Sequence, residues 1–267
     1  MDIAIQTDGL SRSFGSFRAV DGVDLRVEKG TFYGFLGPNG AGKSTTIKML
    51  TGLLAPSGGK ISVLDQDPTD NEQSLLMKSR IGVVPEDLAL FDNLKAREYL
   101  TFIGRMHSIP AEVLRGRIRE LLTLLDLRKD EEKLTVEYSH GMKKKLALAA
   151  ALLPDPDLLF LDEPFEGVDA VASRTIRKLL LDFQKRGSTI FLTSHVLEIV
   201  ERLCTHVGII VGGQLVEQTA ISELGSGGSL EQRFLEVVGT DLEKEAHLSW
   251  LGDGEDAEAT STEEAAE

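Results

Sequence analysis

The chain has 267 residues, 42% hydrophobic and 27% charged, enough for one large domain or a core with a subdomain. Its net charge is −14, and residues 240 to 267 hold ten Asp/Glu against one Lys, so that segment alone carries −9. Neither segment nor body has the basic surplus of a direct nucleic-acid binder. The one cysteine, Cys204, excludes an internal disulfide framework and a Cys-rich zinc site, and reads as a small buried apolar residue.

The opening MDIAIQTDGL has no basic stretch followed by a long apolar run, so no secretory signal is expected there. IAIQTDGL and RAVDGVDLRVEKG read as short strands separated by turns. TFYGFLG is a compact apolar run ending in glycine, a buried strand. GKSTTIKMLTGLL then has helical spacing, with Ile47, Leu50 and Leu54 on one face. GGKISVLDQDP and SRIGVVPED predict two more strands. From Asp92 to Leu153 the texture changes to three helical patterns, LKAREYLTFIGRMHS, AEVLRGRIRELLTLLDL and HGMKKKLALAAALL. Strand patterns return in DLLFLDEP, STIFLTSH and HVGIIVGGQLV, with helices DAVASRTIRKLLLDFQKRG and VLEIVERLC between them. The pattern predicts an α/β parallel-sheet core interrupted by an all-helical insert. LEQRFLEVVG reads as a last short helix. Residues 239 to 267 read as an acidic disordered tail, in which Trp250 is the one residue suited to docking on the body. No run reaches the ~20 apolar residues of a membrane span. A soluble, cytoplasmic chain is expected, touching a membrane only through a partner.

Two stretches carry chemistry. Gly37, Pro38, Asn39, Gly40, Ala41, Gly42, Lys43, Ser44 and Thr45 match G-x-x-x-x-G-K-[ST], placed after a strand and opening a helix. Glycines let successive N–H groups curl around a phosphate, the helix N-terminus adds its dipole, Lys43 adds a point charge, and the Ser44 hydroxyl suits Mg2+. This leaves kinases, GTPases and ATPases open. LLFLDEP then delivers Asp162 and Glu163 to the end of a buried strand, where open α/β sheets bind ligands. Asp162 suits Mg2+ binding, and Glu163 suits orienting or deprotonating a water. No Asn-Lys-x-Asp guanine-reading motif is present, which argues against a GTPase.

GPNGAGKST, YSHGM, LLFLDEP, EGVD and TSH occur in the order and at about the spacing of ATP-binding cassette (ABC) ATPases, and the resemblance spans roughly residues 3 to 238. It implies a P-loop core with an N-terminal antiparallel sheet, over residues 1–91 and 154–238, and a helical signature subdomain over residues 92–153. It also implies two copies, or this chain with a related cassette, sandwiching two ATP molecules head to tail with Mg2+. The family's adenine-stacking aromatic falls on Phe14, its γ-phosphate histidine on His195, and its inter-subunit acid on Asp169. Its signature falls on Tyr138, Ser139, His140, Gly141 and Met142, which would approach the ATP held by the partner subunit. Three departures stand out. His140 replaces a glycine, Glu86 replaces the glutamine that would join Ser44 and Asp162 around Mg2+, and Glu166 replaces a common serine.

The helix after YSHGM carries Lys143, Lys144 and Lys145 near an N-terminus whose dipole prefers anions. The resemblance implies that the partner's nucleotide offsets them. A single cassette without a span implies a separate polytopic permease, with Leu88, Leu90 and Phe91 suited to receive it, at the cytoplasmic face of the membrane. The sequence most resembles single-cassette subunits of bacterial exporters. A non-transport cassette, or an ATP-binding interaction module without hydrolysis, is the alternative.

Overall fold

The computed structural model describes residues 2–224 and 229–239, so the acidic segment and Trp250 lie outside the described residues. β1 (Ile3–Phe14) is the spine of a four-stranded antiparallel sheet and pairs with β2 (Phe17–Val23), β3 (Arg26–Glu28) and β5 (Gly58–Val63). Its alternation buries Ile5 and Thr7 and exposes Gln6 and Asp8.

The second sheet has the order β10-β9-β4-β8-β7-β6. Its parallel members are β4 (Phe32–Leu36), β6 (Ile81–Val84), β7 (Leu158–Asp162), β8 (Thr189–Thr193) and β9 (His206–Val211). β10 (Gln214–Ala220) closes the edge antiparallel to β9. HVGIIVGGQLV, which reads as one run in the sequence, is therefore a hairpin turning at Gly212-Gly213.

Every residue of β4, β7 and β8 is buried, because helices or the other sheet cover both faces. The alternation shows which face is which. Phe32, Leu36, Leu159, Leu161, Ile190 and Leu192 point into the core shared with the helical insert. Tyr33, Phe35, Phe160 and Phe191 point toward the antiparallel sheet and α1 (Lys43–Leu50). There Phe191 stacks on Tyr33 at 5.5 Å between ring centroids, with Phe35 and Phe160 tilted against it. Each fully buried aromatic ring contributes roughly 1.5–3 kcal/mol. Cys204 is buried, as expected, and burial pushes its thiol pKa up.

The remaining helices are α2 (Asn71–Lys78), α3 (Ala96–Met106), α4 (Ala111–Leu124), α5 (His140–Leu152), α6 (Ala170–Lys185), α7 (Leu197–Leu203), α8 (Ile221–Leu224) and α9 (Leu230–Val238). α3, α4 and α5 follow one another with only two short 3₁₀ turns between α4 and α5, matching the strand-free stretch in the sequence. α5 lies directly on β6: a Cβ on Gly82 would sit 2.2 Å from the Ala151 carbonyl oxygen. The Ala149, Ala150 and Ala151 run keeps the helix side of that contact thin. Among the described residues no helix is long and apolar enough to cross a membrane.

Candidate functional site

The phosphate-binding loop leaves β4 at Leu36 and enters α1 at Lys43. Gly40 and Gly42 hold φ of 78° and 108°, left-handed conformations that a side chain resists. Gly42 heads α1 without any side-chain cap, so the first N–H groups of the helix stay free for an anion. The Lys43 stem is buried, and its ammonium arches back over the loop, donating to the Gly37 carbonyl at 2.7 Å and the Pro38 carbonyl at 3.2 Å. Ala41 is the one member of the motif that turns away: it packs in the core, and its carbonyl accepts from the Gly213 N–H at 3.0 Å.

β7 carries Asp162 and Glu163 to the same end of the sheet, with β8 between it and β4. The two acids diverge because Glu163 sits at φ 47°, a strained position for a residue with a Cβ. Thr193, at the end of β8, holds both. Its hydroxyl donates to the Asp162 carboxylate and accepts the Glu163 N–H at 3.2 Å. The Glu163 carboxylate Oε2 lies 3.0 Å from His195 Nδ1, with the glutamate side chain buried and the imidazole open to solvent. Across the cleft the Ser44 hydroxyl donates to Glu86 Oε2 at 3.0 Å. Ser44, Glu86 and Asp162 thus face one cleft with three hard oxygen donors. That set fits Mg2+, which binds through one or two carboxylates and completes its shell with water and phosphate oxygens. Among the described residues no cluster of three or more His, Cys, Asp or Glu forms an all-protein cage.

Lys43, Ser44, Glu86, Asp162, Glu163 and His195 line one cleft of about 740 Å³ together with Phe14, Glu166, Phe17, Leu197 and Phe234. Phe17, Phe234 and Thr193 are absent from the sequence-level site. Phe17 faces Phe14 across the Gly15-Ser16 turn, a pairing that the hairpin spacing could have revealed. Phe234 arrives from α9, and no local pattern announces it. A groove of about 640 Å³ between α4 and α6, lined by Arg117, Leu124, Phe183 and Arg186, holds neither the phosphate loop nor the acid pair.

Ser139, His140, Gly141 and Met142 lie outside this cleft, at the N-terminus of α5. Ser139 caps the helix, its hydroxyl oxygen accepting the Met142 N–H at 3.3 Å. His140 is exposed, is the first helical residue, and does not have a positive φ, so replacing glycine there carries no backbone penalty. Its ring packs on Gly167: a Cβ there would sit 2.7 Å from His140 Cδ2. Gly141 is required for a different reason, since a Cβ on it would lie 2.8 Å from the Gly167 carbonyl oxygen. Asp169 caps α6 by accepting the N–H groups of Val171 at 3.0 Å and Ala172 at 2.9 Å. The Ala172 N–H, then the Val171 N–H and the Lys145 charge, hold its pKa below the usual carboxylate value.

Two of the three lysines of α5 also have acidic neighbours within the chain. Lys143 lies 3.8 Å from Asp92, and Lys145 is close enough to Asp169 to act on its charge. Lys144 is buried, and its amine has no hydrogen-bond partner among the described residues.

A glycine loop and lysine at one strand end, with an acid pair two strands away, define a P-loop nucleoside triphosphatase. The sequence profile of the ABC transporter family matches residues 20–166, and the chain belongs to that family as an ATP-hydrolysing cassette. It is 39% identical over 245 residues to the bacitracin transport ATP-binding protein BcrA of Bacillus licheniformis, covering 91% of this chain and 78% of the relative. It is 36% identical over 223 residues to the daunorubicin resistance ATP-binding protein DrrA3 of Streptomyces coeruleorubidus, covering 84% and 70%. A solved ATP-binding subunit of an ABC transporter matches with a TM-score of 0.83 at 26% identity, covering 88% of this chain and all of the other. A dimeric cassette in a post-hydrolysis state with ADP and Pi shares the fold, with a TM-score of 0.76 at 20% identity.

Proposed function

We propose that this chain is the ATPase subunit of an export-type transporter, working as a dimer at the cytoplasmic face of the membrane beneath a separate polytopic permease. The observation that carries this reading is the meeting of Lys43, Ser44, Glu86, Asp162, Glu163 and His195 in one cleft, while the signature residues lie outside it. A site split in this way is complete only when a second cassette presents its own Ser139 and Gly141. The relatives' roles, bacitracin transport, Nod factor export and linearmycin resistance, support the export direction.

In this reading the core comprises residues 1–91 and 154–238, and the helical subdomain comprises residues 92–153. The loop N–H groups and the uncapped start of α1 bind the phosphates, and Lys43 leaves its carbonyl partners to add charge there. Phe14 stacks on adenine. Ser44, Glu86 and Asp162 would hold Mg2+, which when bound screens phosphate charge and polarises the terminal phosphoryl group. Glu163, fixed by Thr193 and in contact with His195, takes the proton of the attacking water. Its strained backbone aims the carboxylate into the cleft and away from Asp162. Asp169 stiffens the segment that follows the acids and faces the second copy. ATP shared between two copies favours the closed dimer, and its hydrolysis removes the contacts that held it closed.

A groove of about 360 Å³ between core and helical subdomain, lined by Leu88, Leu90, Tyr99, Ile103 and His107, supports the permease contact. Its surroundings include Phe91 and Met106, 53% and 69% exposed, which a monomer gains nothing by displaying. The test is affinity purification of the tagged chain from detergent-solubilised membranes of its own host. A polytopic membrane protein should co-purify with wild type and be lost with Leu88→Asp, while ATP hydrolysis by the isolated chain persists. Recovery of the chain without any membrane protein would refute the transport reading.

A further inference from the structure

A stacking ring has two faces, and the fold occupies one face of Phe14. The Arg12 guanidinium carbon lies 4.7 Å from the Phe14 ring centroid. Its Nη1 donates to the Ala55 carbonyl at 2.7 Å, which ties the guanidinium to the loop that leads into β5. Its Nε is buried with no hydrogen-bond acceptor among the described residues, so the aromatic face is the contact that compensates this part of the cation. Phe14 itself remains 47% exposed and lines the nucleotide cleft, so its free side faces the cleft. Phe17, across the turn, is 63% exposed and carries no such backing among the described residues.

We infer that Arg12 is a positioning residue for base recognition: clamped to Ala55, it backs the Phe14 ring so that adenine meets an already ordered surface, completing a guanidinium–phenyl–base stack. The inference rests on the reading of Phe14 as the adenine-stacking residue. Ordering the ring before the ligand arrives removes a cost that a free ring would incur on binding. Arg12 acts only through Phe14, so its effect must be confined to the base and must vanish when the ring is gone.

The experiment is titration of wild type, Arg12→Ala, Arg12→Met, Phe14→Ala and Arg12→Ala/Phe14→Ala with ATP and, separately, with inorganic tripolyphosphate. Phe14→Ala should weaken ATP at least about five-fold, the low end of base–aromatic stacking. Both Arg12 variants should weaken ATP about two- to five-fold, the range for an exposed cation–ring contact. Arg12→Met keeps the apolar stem, so agreement of the two, with unchanged melting temperatures, excludes a general loss of fold. Tripolyphosphate affinity should not change, and the double variant should bind ATP no more weakly than Phe14→Ala. Equal weakening of ATP and tripolyphosphate by the Arg12 variants would overturn the inference, as would Arg12 and Phe14 losses that simply multiply. If Phe14→Ala leaves ATP affinity intact, the Phe14 reading itself fails, which the Phe14 arm alone reveals.

Discussion

Replacing Gly141 with alanine tests the seam between the start of α5 and the loop that leads to Asp169. The added Cβ would stand 2.8 Å from the Gly167 carbonyl oxygen. Carbon–oxygen contacts of this kind settle near 3.3–3.6 Å, so one side must retreat by at least about 0.5 Å. The obstacle is backbone, and Gly167 is itself at φ 69°, so neither side has a flexible end to give way. Overpacking of this sort costs about 1–3 kcal/mol. Alanine in place of a helical glycine returns somewhat less than 1 kcal/mol, because Gly141 lies in the first turn. The net expectation is a loss of up to about 2 kcal/mol, or up to about 8 °C in melting temperature. Gly116→Ala in α4 is the matched control. Its added Cβ would have nothing within 4 Å, and the substitution should raise the melting temperature slightly. Hydrolysis should fall further than stability in Gly141→Ala, since the displaced helix end presents Ser139. Thermal melts and phosphate-release rates on both variants check this. A Gly141→Ala protein as stable as Gly116→Ala, with full turnover, would refute the packing argument.

Lys144→Met should stabilise the protein. It removes a buried nitrogen that lacks a partner among the described residues while keeping side-chain volume, relieving a desolvation penalty of about 1–3 kcal/mol, and several degrees in a thermal melt report it. A lower melting temperature would show that the amine finds a partner in solution. His107, in the groove beside Leu88 and Leu90, gives a pH dependence. Burial holds its pKa below the ordinary 6.5, with a hydrogen bond at the Ser79 backbone opposing part of that shift. The unfolded chain therefore takes up the proton first. The stabilising contribution is complete above about 6.5 and is lost as pH falls from there toward the folded value. Denaturant titrations from pH 7.5 to 5 should show a smaller acid loss in His107→Gln than in wild type, and superimposable profiles would exclude this contribution.

The parts of the site that were legible in the sequence are those whose physics is contiguous. The phosphate loop needs glycines, a lysine and a hydroxyl within nine residues, between a strand and a helix. The acid pair needs only an apolar strand that ends in carboxylates. The helical insert showed through its 3.6-residue period. Thr193 was not legible, because its work is done on residues 30 and 31 positions away and depends on β8 lying beside β7. Phe234 depends on where α9 comes to rest. The intrachain surroundings of the α5 lysines were hidden for a related reason. Helix-dipole reasoning treats the three alike, whereas packing gives Lys143 and Lys145 acidic neighbours from distant loops and buries Lys144 between them. His140 shows the converse: it departs from glycine, yet the backbone there is ordinary helix and the ring finds a resting place on Gly167.

The central claim is that Glu163 activates water in a site that two copies complete. The direct measurement is phosphate release by the purified chain against protein concentration, for wild type and Glu163→Gln. Wild type should hydrolyse ATP at a rate that rises more than linearly with protein concentration. Glu163→Gln should lose at least about 10²-fold, the scale of general-base catalysis, while still binding ATP and accumulating as an ATP-dependent dimer. Hydrolysis by Glu163→Gln at the wild-type rate, or a strictly linear concentration dependence across the monomer–dimer range, would contradict the account.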